Sequence, residues 1–203
     1  MKKYVLTTAM MILLFGTTIN LKSSTQNSIE SIETQLKELK EKLYEKNIFS
    51  EYNMVKYFNE EERAKAHRIA ERFNQDLNNL CLLFHIESRG NPKAVNKHSN
   101  ATGLIQWLPS TAKRFETTVS EIHNMSVSEQ LDLVEKYLEF WEPEQGYKDF
   151  TDLYLAVFSP SALGKSNNYI IGAEGSKAVV QNTVVDGNKD GILTVADVKN
   201  FIS

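Results

Sequence analysis

The stretch Phe84–Val95, FHIESRGNPKAV, decides how this chain is read. Upstream of it, Ile69, Phe73, Leu77, Leu80, Cys81 and Phe84 recur at helical spacing, the pattern of a helix that buries one stripe. Glu87 falls three residues past Phe84 and seven past Leu80, so it continues the stripe. A carboxylate there carries a desolvation cost unless it is bonded, paired or protonated. Periodicity allows two readings: a last-turn glutamate rolling out into solvent, or a carboxyl held at an apolar wall. The spacing predicts one helix from Glu60 to near Ser88, stopped by Gly90, Asn91 and Pro92.

Working outward, 203 residues leave room for one ordinary domain with appendages. The composition, 41% hydrophobic and 24% charged, is that of a globular chain rather than a disordered one. A formal net charge of -3 with no Lys/Arg stripe argues against a nucleic-acid partner. One cysteine, Cys81, excludes a disulfide framework and reads as a small core residue. At the N-terminus, MKK precedes an apolar run from about Val5 to Gly16, the shape of a secretory signal and short for a membrane span. The cleavage region GTTIN is imperfect, so residues 1–20 are expected to be a signal peptide or an N-terminal membrane anchor. Either places the protein outside the cytoplasm, in the periplasm, the wall or the medium.

Residues 21–28, LKSSTQNS, read as a linker. Ile29, Ile32, Leu36, Leu39 and Leu43 then alternate steps of three and four amid Glu and Lys, a heptad-like seam. It suits weak self-association, or docking of the 29–43 helix on its own domain. Residues 47–59 are mixed. Further on, Pro109 or Ser110 opens a short helix, and Ser126 with Glu129 forms a capping box. Behind that box lie Leu131, Val134, Leu138 and Trp141 on one face. Strand alternation is nearly absent, so the fold class is all-α.

Glu87-Ser88-Arg89-Gly90-Asn91-Pro92, then Ala94-Val95, then Ala101 through Ala112 (ATGLIQWLPSTA), together resemble the soluble lytic transglycosylase family of lysozyme-like enzymes. The likeness is expected to extend over residues 62–172. It implies a lysozyme-like fold and cleavage of the bond between N-acetylmuramic acid and N-acetylglucosamine in peptidoglycan, with Glu87 as the catalytic acid. Apolar neighbours would raise its pKa for that task. In this family one Glu does both jobs, protonating the leaving oxygen and then taking the C6 hydroxyl proton as a 1,6-anhydro ring closes. The resemblance also implies substrate contacts from Ser88, Gly103, Gln106, Trp107 and Tyr154, although a core role for Trp107 fits the sequence equally well. The Asn-x-Gly that normally comes after the family's tyrosine is replaced by Val157-Phe158-Ser159-Pro160, which leaves that side of the cleft undefined. A hydrolytic muramidase on the same fold and a non-catalytic wall-binding or calcium-binding structural protein are the alternatives.

The last segment carries a second pattern. Asp186, Asn188, Asp190, Thr194 and Asp197 supply side-chain oxygens at loop positions 1, 3, 5, 9 and 12, and the Ile192 carbonyl supplies position 7. Gly191 stands at position 6. The run resembles an EF-hand or dockerin repeat and implies one structural Ca2+, with no organic cofactor. His85 and His98 lack partners at zinc-ligand spacing. The expected organisation is 1–20 leader or anchor, 21–59 linker and heptad-like helix, 60–175 lysozyme-like domain, and 176–203 calcium-loop segment.

Overall fold

The computed structural model describes residues 26–203; the leader-or-anchor run lies outside the described residues. The chain divides into a unit of residues 1–44 and a unit of residues 45–203. The first helix, α1 (Lys2–Glu51), is where the described residues begin. Gln26, Asn27 and Ser28 are helical, where the sequence reads as linker. Their polarity is absorbed locally: Gln26 Nε2 donates to Glu30 Oε1 at 3.2 Å, and Thr34 Oγ1 donates to the Glu30 carbonyl at 2.8 Å. The seam residues Ile29, Ile32, Leu36, Leu39 and Leu43 are exposed, from 44% to 64%. Among the described residues, no helix is long and apolar enough to cross a membrane.

The second unit begins at Glu45, ahead of the expected boundary at residue 60. Phe49, Met54 and Phe58 are the reason, because all three are buried in the core and the turn between them cannot be separated from it. Nor is there one helix from Glu60 to Ser88. Asn74 adopts a left-handed conformation (φ 53°), which asparagine tolerates better than most residues, and it divides the run into α2 (Glu60–Arg72) and α3 (Leu77–Ser88). Asp76 restarts the helix by accepting from the Asn78 N–H. The apolar stripe survives the break, since Ile69, Phe73, Leu77, Leu80, Cys81 and Phe84 are all buried. Each large side chain of it is worth about 1.5–3 kcal/mol on burial.

Three further helices come next: α4 (Pro109–Arg114), α5 (Val119–Asn124) and α6 (Val127–Trp141). Pro109 begins α4 where its missing N–H costs nothing. Capping boxes at Thr118/Glu121 and Ser126/Glu129 start α5 and α6. Helix α6 packs on α2, and α7 (Phe150–Phe158) packs on α3 and α6. The chain then runs through β1 (Ile170–Gly172), α8 (Lys177–Gln181), β2 (Leu193–Thr194) and α9 (Val195–Ile202). The two strands pair antiparallel, Ile170 opposite Thr194 and Gly172 opposite Leu193. That pairing crosses residue 176, so the C-terminal segment is stitched into the same unit. α9 lies on α7, with the Phe201 and Tyr154 rings 6.4 Å apart. Helices dominate, as the sequence predicts.

Candidate active site

Helix α3 ends abruptly, and that ending presents Glu87. Arg89 (φ 56°) and Gly90 (φ 68°) are both left-handed. Their N–H groups return to the His85 and Phe84 carbonyls, closing the last turn. A Cβ on Gly90 would sit 2.0 Å from Met54 Sδ, so only glycine lets the chain pass here. Glu87, half-buried on that final turn, lines a cleft of about 640 Å3. Among the described residues, no donor bonds its carboxyl. Burial therefore acts unopposed and raises its pKa to about 7. The Tyr137 and Tyr154 phenols are pushed upward too, by burial first and by the Glu87 charge second.

One wall of the cleft is the 94–108 loop, folded back on itself by backbone pairing of Thr102 with both Val95 and Trp107. Gln106 lines it in a left-handed conformation (φ 53°). Its Nε2 donates to the Gly103 carbonyl at 3.1 Å and the Ala94 carbonyl at 3.4 Å, leaving its side-chain oxygen uncommitted. Asn96 Oδ1 turns the loop by accepting from the His98 and Ser99 N–H groups, and all three residues face the cleft. Leu108 completes this wall, with its side chain exposed. The lining continues with Val157 and Phe158 of α7, then Val180, Gln181 and Asn182 at the end of α8. The side of the cleft that the sequence leaves undefined is thus filled from the C-terminal segment.

Several residues expected at the substrate lie behind the cleft surface. Ser88 is buried, and its Oγ donates to the Phe84 carbonyl (3.1 Å) and the Leu104 carbonyl (2.9 Å), tying the last turn of α3 to the cleft loop. Trp107 is 1% exposed, edge-on to Phe115 and Tyr137. No face of it is free to stack on a sugar. Gly103 (φ 84°) also sits beneath the surface, where a Cβ would meet Gln130 Oε1 at 2.7 Å. Tyr154 is buried and stacked on Phe158, a cleft residue, and its hydroxyl has no hydrogen-bond partner among the described residues.

Sequence reasoning missed Gln130. Fully buried, it accepts from the Leu104 N–H (3.0 Å) and donates to the Pro92 (2.8 Å) and Ile122 (3.0 Å) carbonyls. One amide of α6 thereby ties Pro92, just before the cleft loop, and Leu104, within it, to Ile122 of α5. The signal was present, because Gln130 lies three residues after Val127 and four before Val134, on the buried face of α6. In the 186–197 loop, Asp186 Oδ2 accepts from the Gly191 N–H at 3.1 Å, while Asp197 serves the capping box of α9. Among the described residues no three Asp, Glu, His or Cys side chains are grouped so that they could hold a metal ion.

Residues 65–135 match the family described as Transglycosylase SLT domain. No curated protein and no solved structure matches the chain. The matched segment runs from α2 into α6 and holds Glu87, Ser88, Gly103, Gln106, Trp107 and Gln130; Tyr154 and α8 lie beyond it. The match over residues 65–135 supports a place in the lytic transglycosylase, lysozyme-like family, whose members are mainly helical and act on peptidoglycan.

Proposed function

We propose that this protein is a peptidoglycan lytic transglycosylase that cuts the β-1,4 bond between N-acetylmuramic acid and N-acetylglucosamine with Glu87 as both acid and base. The observation that carries this reading is an unpaired carboxyl in a cleft, its pKa raised to about 7 by burial. Such a group is substantially protonated at neutral pH and still gives up its proton readily. It protonates the glycosidic oxygen as the muramic C1–O bond breaks. The resulting carboxylate takes the proton of the muramic C6 hydroxyl, whose oxygen closes on C1. One bond forms for the one that breaks, and no water is consumed. Glu87 is the acidic side chain among the described residues lining the cleft, which favours this route over hydrolysis, where a second carboxylate activates water. Amides at Asn96, Gln106, Gln181 and Asn182 suit the N-acetyl groups and hydroxyls of the strand. Peptidoglycan as substrate places the enzyme in the periplasm or outside the cell.

Mass spectrometry of the sugar products tests this, using purified peptidoglycan with the wild type and with Glu87→Gln. Muramic ends lighter by one water, absent with the variant, are expected. Ordinary reducing ends would mean a muramidase. No cleavage by the wild type would leave a wall-binding protein.

A further inference from the structure

The 186–197 loop contains a buried carboxylate that no cationic side chain among the described residues pairs with. Asp186 is 5% exposed, its Oδ2 is held by the Gly191 N–H, and its Oδ1 is buried without a hydrogen-bond partner among the described residues. An orphaned carboxylate oxygen is costly in a dry setting and is normally met by a cation. A second carboxylate of the loop, Asp197, is also buried, at 7%. The remaining oxygens belong to Asn188, Asp190, Thr194 and the Ile192 carbonyl. An all-oxygen set of this size suits a hard cation that takes six to eight ligands. The loop is partly closed on itself: Asn188 Nδ2 donates to Asp190 Oδ2 at 3.0 Å, and Asp190 Oδ1 accepts from the Ile192 N–H at 2.8 Å. A cation bound by Asp190 Oδ2 would compete with the first of these bonds.

The place where the loop begins determines how binding is felt elsewhere. The Val185 and Asp186 N–H groups both return to the Asn182 carbonyl, at 2.9 and 3.3 Å. Asn182 lines the same cleft as Gln106, together with Val180 and Gln181. The other end of the loop is β2, paired to β1. β1 in turn packs closely on α8, since a Cβ on Gly172 would meet Ala178 Cβ at 2.7 Å. Both ends of the loop therefore lead to the same cleft wall. We infer that the loop binds Ca2+ and that occupancy orders the α8 wall of the Glu87 cleft, making substrate binding calcium-dependent. The cation site stands on its own residues; the effect on turnover rests on Glu87 being the catalytic acid.

The test uses the full chain. Calorimetric titration with CaCl2 alone is expected to show one site half-saturating at about 0.1–1 mM, the range of extracellular modules. Asp190→Ala, at an exposed position, is expected to weaken binding at least about tenfold, by loss of one charged ligand. Hydrogen exchange of residues 178–182 is expected to slow severalfold with Ca2+ in the wild type and to stay unchanged in Asp190→Ala. No binding at several times that concentration would overturn the site. Binding without slower exchange at 178–182 would overturn the coupling. If the wild type cleaves glycan, removing Ca2+ is expected to raise KM more than it lowers kcat. Absent cleavage overturns the enzymatic reading alone, because titration and exchange report without it.

Discussion

Replacing Glu87 by Gln separates a desolvated carboxyl from an ordinary surface one, because the two differ in how stability depends on pH. Burial raises this pKa from 4.5 to about 7. The folded state then holds the Glu87 proton more tightly than the unfolded chain does. Stability contributed by this group is full below about pH 4.5, declines as pH rises, and levels off above about pH 7. At 1.36 kcal/mol per pKa unit the full decline is about 3 kcal/mol, and water in the open cleft reduces it to about 2. Glutamine keeps the shape and has no proton to lose. Urea denaturation of both proteins at matched pH is the assay. Near pH 4 the variant and wild type should be equally stable; at about pH 8 the variant should be more stable by about 2 kcal/mol while losing all cleavage. Other titrating groups are common to both proteins and cancel in the difference. A difference that stays flat from about pH 4 to 8, or that falls with pH, would refute the claim that burial governs this carboxyl.

The same group sets the rate profile: kcat/KM is expected to fall about tenfold per pH unit well above pH 7, measured by release of soluble muropeptides, as the acid loses its proton. Trp107→Ala should cost about 3–5 kcal/mol in a urea melt, as expected for emptying a core aromatic site; a raised KM with unchanged stability would mean that the ring serves sugar instead. Gln130→Leu should destabilise by about 2–4 kcal/mol in the same assay, since it strands the Leu104 N–H and two carbonyls.

How far the sequence could be read depended on whether a feature was local. The stripe behind Glu87 and its stop at Gly90-Asn91-Pro92 were legible because both lie within one short stretch, whereas periodicity left Glu87 itself between solvent and an apolar wall. The Ser126/Glu129 capping box was legible for the same reason. Asn74 broke the expected long helix through a single left-handed residue, which periodicity does not register. Trp107 and Ser88 were adjacent to the right residues and yet turn inward, an outcome fixed by packing against Phe115, Tyr137 and Leu104 from other segments. The α8 wall could not be anticipated at all, because it reaches the cleft only through the pairing of β1 with β2.

Cys81 gives the molecule an internal clock. This sole thiol is fully buried on α3, the helix that ends in Glu87, and burial pushes its pKa up. A thiol so enclosed is inert until the helix detaches from its neighbours. The rate at which a thiol reagent in excess modifies Cys81 therefore measures how often α3 opens. A glycan fragment seated in the cleft should slow that labelling in proportion to its affinity, so ligand binding can be followed by alkylation with no turnover and no added probe.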